Sequence, residues 1–517
     1  MYFGDEPLTG IINRFGTRVD GHGPWPRFTT TSGGWRTLIE TLSGNAWSLL
    51  GLWGEPAAVH AAVREDLSGE VAVVSLDCPD GKFLSMGHVR PGAIRLERAI
   101  QDLYGLKAEK SVDPRPWLDH DAWGMTHPLG TQPGKPRNAP RPYPVLPVEG
   151  EGLHQIPVGP VHAGIIEPGH FRFTANGETV VRLEERLGYV HKGIEGLMRG
   201  KRVEEAAKLA ARVSGDSTVA HSLAFARAVE AAMGIVVPPR AVWLRALMAE
   251  LERIANHLGD IGAVCNDAAF AFMLAELSQL REAVLRACDA VFGHRLMMDR
   301  VVPGGVAVDI AEHDPARLLG LVEELRRRFP PLVAVYENKA SLQDRTVTTG
   351  CVSAQLVKRF AAGGFVGRAA GRGLDARRSP AYPPYDDLEF EVPVLTDGDV
   401  NARVWIRIKE VEQSLGLVEQ IVKRMPGVPR NERGETPLPR VPAEGTAGEG
   451  MALVEGFRGE ILTWVRIDAD GTVDRCHPRD PSWFQWPLLE AAIEGNIVAD
   501  FPLCNKSFNC SYSGHDL

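Results

Sequence analysis

Cysteine is scarce in this chain and never clustered. The 517 residues hold seven, Cys78, Cys265, Cys288, Cys351, Cys476, Cys504 and Cys510, with no pair at C-x-x-C spacing. A zinc ribbon or a ferredoxin-type iron–sulfur run needs several thiolates a few residues apart to close one coordination sphere, so both are excluded. Seven scattered thiols are not a disulfide framework either, and they predict a reducing, cytosolic setting. Any run of about 18 apolar residues is also missing, so no bilayer-spanning helix is expected. Met1 to Gly10 carries Asp5 and Glu6 and lacks the basic-then-apolar layout of a signal peptide. There is no P-loop and no H-E-x-x-H motif. Gly363, Gly364, Gly367, Gly371 and Gly373 do not make G-x-G-x-x-G and, with no strand signal before them, read as a loop. Positive charge is in deficit: 57 Lys and Arg against 66 Asp and Glu give a net charge of −9. That balance argues against a nucleic-acid surface or a polybasic membrane anchor.

What is present fits a multidomain globular chain, since 44% of residues are apolar and 24% charged. The clearest break in composition runs from Pro128 to Pro160, with prolines also at 133, 136, 140, 142, 144, 147 and 157. Proline at that density forbids continuous helix and predicts a stiff, extended linker. Before it the pattern is mixed. Glu70–Asp77 and Lys82–Met86 are strand-like around the turn Asp80-Gly81, while Trp35–Leu42 and Ala93–Leu106 read as helices. After it, Phe171–Phe173 and Thr179–Val181 flank Asn176-Gly177, a β-hairpin signal. Helical spacing then dominates: Val219, Leu223, Ala226, Val229, Met233; Leu244, Leu247, Leu251, Ile254, Leu258; Leu274, Leu277, Leu280, Val284, Cys288; and the stretch Val404 to Val422. Ile461–Ile467 and Thr472–Cys476 make a second hairpin. The predicted class is therefore α+β: a small α/β domain over 1–130, a linker over 131–154, and a mainly helical bundle with peripheral hairpins over 155–517.

Several segments carry a family resemblance. Gly159-Pro-Val-His162, Glu167-Pro-Gly-His-Phe-Arg172, Leu187-Gly-Tyr-Val-His191-Lys-Gly-Ile-Glu195, Glu252-Arg-Ile-Ala-Asn-His257, Asp299-Arg-Val-Val-Pro303, Asp375-Ala-Arg-Arg378 and Glu455-Gly-Phe-Arg458-Gly-Glu460 occur in this order. Together they resemble the family shared by the large subunit of membrane-bound nickel–iron hydrogenases and the 49-kDa subunit of respiratory complex I. Residues 1–130, through Glu97-Arg98, Asp102-Leu-Tyr-Gly-Leu106 and Trp123-Gly-Met-Thr-His127, resemble the 30-kDa complex I subunit. Fusion of the two is the arrangement of formate hydrogenlyase-type hydrogenases.

In hydrogenases of this family two C-x-x-C pairs hold nickel and iron. The resemblance puts Ser214 and Ser217 at the first pair and Ser511 and Gly514 at the second, with Cys510 one residue out of register. A hydroxyl is a harder donor than a thiolate and deprotonates at far higher pH, so these positions are vestigial and no nickel–iron centre is expected. In the quinone-reducing branch, a tyrosine and a histidine bind the quinone head group; their places fall at Gly215 and, across a loop of different length, Pro168.

The resemblance also points to individual side chains. Glu167 matches a glutamate that passes protons beside the metal in hydrogenases, a role open to a buried carboxylate that titrates near neutrality; the other reading is a solvated turn carboxylate. Arg458 matches an arginine overhanging that metal, and with no metal beneath it the other reading is a structural salt bridge. Glu195 matches a magnesium ligand of some hydrogenases, and a helix would put it on one face with His191. Scattered His162, His170, His191, His221 and His257 read as hydrogen-bonded core or interface residues, and Trp483-Phe484-Gln485-Trp486 as core or partner surface. Glu167, Arg300 and Arg458, taken as buried charges, favour a working site over a bare scaffold. The expected role is a peripheral-arm large subunit of an NADH:quinone oxidoreductase- or hydrogenase-related complex that couples electron transfer to ion translocation. Iron–sulfur clusters would reside in a partner subunit. Membrane-arm antiporter-like subunits would hold the chain on the cytoplasmic side of the inner membrane, with quinone a candidate ligand. The alternative is a non-catalytic scaffold in the same assembly.

Overall fold

A computed structural model describes residues 6–44, 46–135, 142–162, 166–428 and 447–517. The amino-terminal part carries a five-stranded sheet in the order Gly16–Val19, Arg27–Thr30, Val71–Asp77, Ala58–Glu65, Trp47–Glu55. Arg27–Thr30 runs parallel to Val71–Asp77 and the other neighbours pair antiparallel, Val59 opposite Leu76 and Trp53 opposite His60. Helices Ser32–Leu42 and Ala93–Tyr104 pack on this sheet, the second closed by Gly105 in the left-handed conformation (φ 78°). Lys82–Leu84 does not form a hairpin with Val71–Asp77; it pairs in parallel with Lys107–Glu109.

The described prolines from 142 to 152 lie in chain with no helix or strand, as proline density demands, and Leu153–Val158 then joins the expected hairpin as a third strand. That hairpin turns at Asn176-Gly177, with His170–Asn176 against Thr179–Arg186. The bundle follows: helices Thr218–Met233, Pro239–Asp267, Ala271–Phe292, Asp314–Asn338 and Val400–Arg424. Gly234 and Gly293, both at positive φ, terminate two of them, and Asp399 caps the last by accepting from Ala402 N–H at 2.7 Å. Leu247, Leu251, Ile254, Leu277, Leu280 and Val284 are all fully or nearly fully buried, so the predicted apolar faces meet.

Two expectations need correction. The carboxy-terminal hairpin is not peripheral. Gly459–Ile467 pairs with Val473–Arg479 on one side and with Gly448–Gly456 on the other, and the strand Gly448–Gly456 lies against helix Thr218–Met233 in the interior. Nor do the two halves keep separate cores. His22–Gly23 adds to the carboxy-terminal sheet in parallel with Glu449–Gly450. One apolar cluster runs from Leu8 and Trp35 through Phe171 to Phe508 and Leu517, and another joins Leu50 and Trp53 to Leu453 and Trp464. Arg95 also crosses the seam, to Glu185 at 3.0 Å and Glu490 at 2.9 Å. A proline-rich connection does not isolate domains when both flanking faces are apolar, because burying them together is the larger gain.

The candidate site: a serine cluster between two distant segments

Ser214 is extended (φ −146°, ψ 122°), Gly215–Ser217 makes one tight turn, and helix Thr218–Met233 starts at once. Far along the chain, helix Phe501–Phe508 ends at Asn509 in the left-handed conformation (φ 45°). That turn sends Cys510 and Ser511 back into the interior, where Ser511 caps Tyr512–Asp516 by accepting from Gly514 N–H at 2.9 Å. The two segments meet. Ser214 Oγ lies 2.7 Å from Ser511 Oγ, and both residues are buried.

The hydroxyl orientations follow from counting donors. Ser214 O–H donates to Asp216 Oδ1 (2.9 Å), so in the 2.7 Å contact Ser511 is the donor and Ser214 the acceptor. Ser511 Oγ in turn has Gly514 N–H and, more distantly at 3.4 Å, Ser513 Oγ to accept from. The chain Ser513, Ser511, Ser214 thus points its protons at the Asp216 carboxylate. Ser217 O–H reaches the same oxygen at 3.3 Å.

Arg458 holds Asp216 from the other side. Its guanidinium is bidentate to the carboxylate (2.7 and 2.5 Å), donates to Ser217 Oγ at 3.1 Å, and donates through Nε to Asn509 C=O at 2.5 Å. Burial raises the Asp216 carboxyl, but Arg458 and the Ser214 hydroxyl outweigh it and hold the group below the usual carboxylate range. The position of Arg458 is fixed by packing: at Gly364 (φ 64°), a Cβ would stand 1.9 Å from the Arg458 carbonyl oxygen, which also accepts from Gln485 Nε2 at 2.8 Å. Of the glycines expected in a loop, Gly364 thus serves close approach, and Gly364–Ala369 is a short helix.

Beneath Gly514 lies a second pair that no sequence motif marks. Asp480 Oδ2 is 3.0 Å from His221 Nε2, its other oxygen accepts from Ser482 N–H at 2.8 Å, and both side chains of the pair are 1% exposed. A Cβ on Gly514 would stand 2.7 Å from Asp480 Cγ, so the carboxylate fills the space that a side chain at 514 would need. The donors and the steric fit here are those of a hydrogen-bonded polar cluster. Three hydroxyls and a glycine replace the thiolates a soft nickel centre requires, and the fourth position lacks room. Among the described residues no group of three or more His, Cys, Asp or Glu is placed to hold a metal ion.

Other expectations resolve unevenly. At the first turn of helix Thr218–Met233, Glu252 accepts from Val219 N–H at 2.7 Å and Ala220 N–H at 3.1 Å. Burial pushes Glu252 up to about 8, against the pull of those two N–H groups, and the nearby Asp216 charge adds to the rise. Glu167 is exposed on the turn before strand His170–Asn176, and its Oε2 accepts from Ser513 N–H at 3.0 Å; it touches the cluster from outside. Arg300 is half-buried and donates to Gly293 C=O, so of the three charges taken as buried only Arg458 is. Gly215 is exposed with nothing within 4 Å of a built Cβ, and Pro168 is half-buried. His191 and Glu195 do not share a helix face, because helix Ile194–Met198 begins after His191. His191 bonds Asp516 C=O at 2.8 Å and stacks on Trp123, while Glu195 accepts from Tyr104 and His477. His170, His221 and His257 are hydrogen-bonded, to Gly159 C=O, Asp480 and Glu410. Trp483 to Trp486 is core.

Comparison with known proteins agrees with this architecture. Residues 267–442 match the respiratory-chain NADH dehydrogenase 49-kDa subunit family and residues 192–259 the nickel-dependent hydrogenase family. Formate hydrogenlyase subunit 5 of Escherichia coli K12 is 30% identical over 452 residues, 86% of this chain and 78% of that protein. Hydrogenase-4 component G of the same organism is 31% identical over 472 residues, 88% of this chain and 81% of that protein. One of the NADH-quinone oxidoreductase subunits of Dehalococcoides mccartyi is 30% identical over 348 residues, 66% of this chain and 92% of that protein. A chain of the membrane-bound sulfane sulfur reductase, an archaeal respiratory membrane complex, superposes with TM-score 0.66 at 25% identity, covering 72% of this chain and 100% of that one. The relatives are subunits of hydrogenase and NADH-quinone oxidoreductase complexes, and among the described residues no helix is long and apolar enough to cross a membrane. This chain belongs to the family of nickel–iron hydrogenase large subunits and complex I 49-kDa subunits.

Proposed function

We propose that this chain is the large subunit in the peripheral arm of a membrane-associated oxidoreductase complex, related to complex I and to energy-converting hydrogenases, and that it works without a nickel–iron centre. The observation that carries this reading is the 2.7 Å contact between Ser214 and Ser511 at the vestigial ligand positions, closed by Arg458–Asp216 on one side and Asp480 beneath Gly514 on the other. Electrons would arrive through an iron–sulfur partner subunit, since no local run of thiolates exists here. Membrane-arm subunits would hold the complex on the cytoplasmic face and carry the ion movement.

In this reading the serine cluster handles protons. Ser513, Ser511 and Ser214 form a short series of hydroxyls, each able to accept one proton while passing on another, and leading to Asp216. Asp216 would take up the proton only transiently and release it to solvent on its exposed side. Arg458 keeps Asp216 ionised and so sets the direction in which the hydroxyls point. Glu167, exposed and bonded to Ser513 N–H, would exchange protons with solvent or with a partner surface at the outer end. The scaffold alternative shares the assembly and denies the traffic. Two measurements on the purified complex separate these readings. Nickel well below one atom per complex is expected, and a stoichiometric amount would refute the proposal. Ser511→Ala should slow coupled ion translocation with the complex intact; an unchanged rate would leave the scaffold reading.

A further inference from the structure

A second cavity lies away from the serine cluster, at the seam of the two halves. It has a volume of about 350 Å³, within the range of small-molecule sites, roughly 300–1,000 Å³. Leu96, Ile100 and Trp123 form one wall; Ile194, Trp483 and the carboxy-terminal Leu517 form the other. The accessible wall is almost wholly apolar, and no Lys or Arg lines it. Protein interiors are otherwise close-packed, so a pocket of this size with apolar walls suits an apolar occupant better than water.

One edge is polar and ordered. Glu195 Oε2 accepts from the Tyr104 hydroxyl at 2.7 Å and Oε1 from His477 Nδ1 at 2.6 Å, and the Glu195 and His477 side chains are 9% and 8% exposed. Trp53 stacks on His477 with centroids 5.4 Å apart and planes at 12°, which fixes the imidazole and hence the carboxylate. Tyr104, Trp123 and Trp483 present further rings.

We infer that this cavity binds a neutral, flat aromatic molecule bearing one hydroxyl, whose O–H donates to Glu195. The aromatic walls favour a ring over a branched aliphatic. An anion would meet the Glu195 charge without a cation to answer it. Each Glu195 oxygen holds one donor and has a lone pair left for a single further O–H. An ammonium would lose its hydration to apolar walls that leave its other N–H donors unmet. Because the walls come from both halves, an occupant would also brace the seam between them.

The test uses the full-length chain and 1-naphthol as probe, with naphthalene, 1-naphthoate and 1-naphthylmethylammonium as comparisons, read by calorimetric titration. One saturable site for 1-naphthol is expected, with the two charged probes weaker by at least about tenfold. Ala99→Phe and Ile194→Phe, which fill the cavity, should each weaken 1-naphthol by at least about tenfold while the melting temperature holds. Glu195→Gln should keep a binding site but remove the preference for 1-naphthol over naphthalene, a readout that stands even if the filled variants do not fold. No saturable binding, binding undiminished in folded filled variants, a preference unaltered in Glu195→Gln, or an ammonium probe as tight as 1-naphthol would each overturn the inference.

Discussion

Gly514→Ala is the smallest change that tests how the vestigial site is closed. Gly514 sits within a helical turn without positive φ, so an alanine there incurs no backbone strain and the effect is steric. Its Cβ would stand 2.7 Å from Asp480 Cγ, 2.8 Å from Asp480 Oδ2 and 2.9 Å from Ser511 Oγ, all inside ordinary van der Waals contact. None of these atoms is a flexible chain end. Asp480 is held by His221 and by Ser482 N–H; Ser511 is held by Gly514 N–H and Ser214. Overpacking of this kind costs about 1–3 kcal/mol. Pushing the carboxylate off a buried imidazole adds about 1.5–3 kcal/mol for a charge-assisted bond. A loss of roughly 2.5–6 kcal/mol is expected from these two terms, read as a lowered thermal or denaturant midpoint of the complex. The steric cause is isolated by a double-mutant cycle with Asp480→Ala. On that background Gly514→Ala should cost about 1 kcal/mol or less, a coupling of at least about 2 kcal/mol. Additive effects, or a single-variant loss under about 1 kcal/mol, would refute the reasoning, and with it the claim that Asp480 has taken the space of the fourth ligand.

Glu252 gives a pH signature. Its folded value of about 8 lies above the ordinary glutamate value, so the folded state binds the extra proton and stability falls as pH rises between the two. Between the ordinary glutamate value and about pH 8 the loss is on the order of 5 kcal/mol, and Glu252→Gln should remove it. The variant's melting temperature should gain on the parent's from about pH 5 to about pH 8, and parallel profiles would refute this. Arg458→Lys should destabilise by about 1–3 kcal/mol, since an ammonium cannot reproduce the bidentate hold on Asp216, and it should slow turnover of the complex; an unchanged rate would count against a role at the site. Expressed separately, residues 1–130 and 131–517 should aggregate, and co-expression should rescue them, because each exposes half of a shared core. Two soluble, monomeric fragments would show that the seam is dispensable.

Much of the fold was legible where polar residues break up an element's apolar positions. Helix Ala271–Phe292 keeps a water-facing side. Pro239–Asp267 and Val400–Arg424 are largely buried, but residues such as Arg245, Arg253, Arg407 and Glu410 separate their apolar positions, so these recur with helical period and announce themselves. Trp47–Glu55 and Ala58–Glu65 did not, because they are buried on both faces and have no alternation to read. Helix Asp314–Asn338 was hidden by Pro330-Pro331, which argue against helix, yet Leu318, Val322, Leu325 and Phe329 on the same segment are buried against the bundle and packing prevails over propensity. The shared core escaped for a different reason: sequence shows that a face is apolar, but not which other face covers it.

At the candidate site the sequence located the positions and missed their neighbours. Ser214, Ser217, Ser511 and Gly514 could be placed by the family resemblance, and Ser214 and Ser511 do meet across 297 positions of chain. Asp216, His221, Glu252 and Asp480 could not, since their meaning lies in pairings between segments far apart in sequence. One signal was available: Asp216 stands between the two serines, and a carboxylate placed there needs a cation, which makes Arg458 its natural partner. The logic of the cavity follows from that pairing. A thiolate cage exists to satisfy a metal; once its donors become hydroxyls, the buried lone pairs and protons must satisfy one another. Ser511 and Ser214 do so by donating in sequence toward Asp216, whose carboxyl Arg458 and the Ser214 hydroxyl hold below the usual carboxylate range. Arg458, which in a hydrogenase would overhang a metal, is thus what gives the hydroxyl chain its direction here.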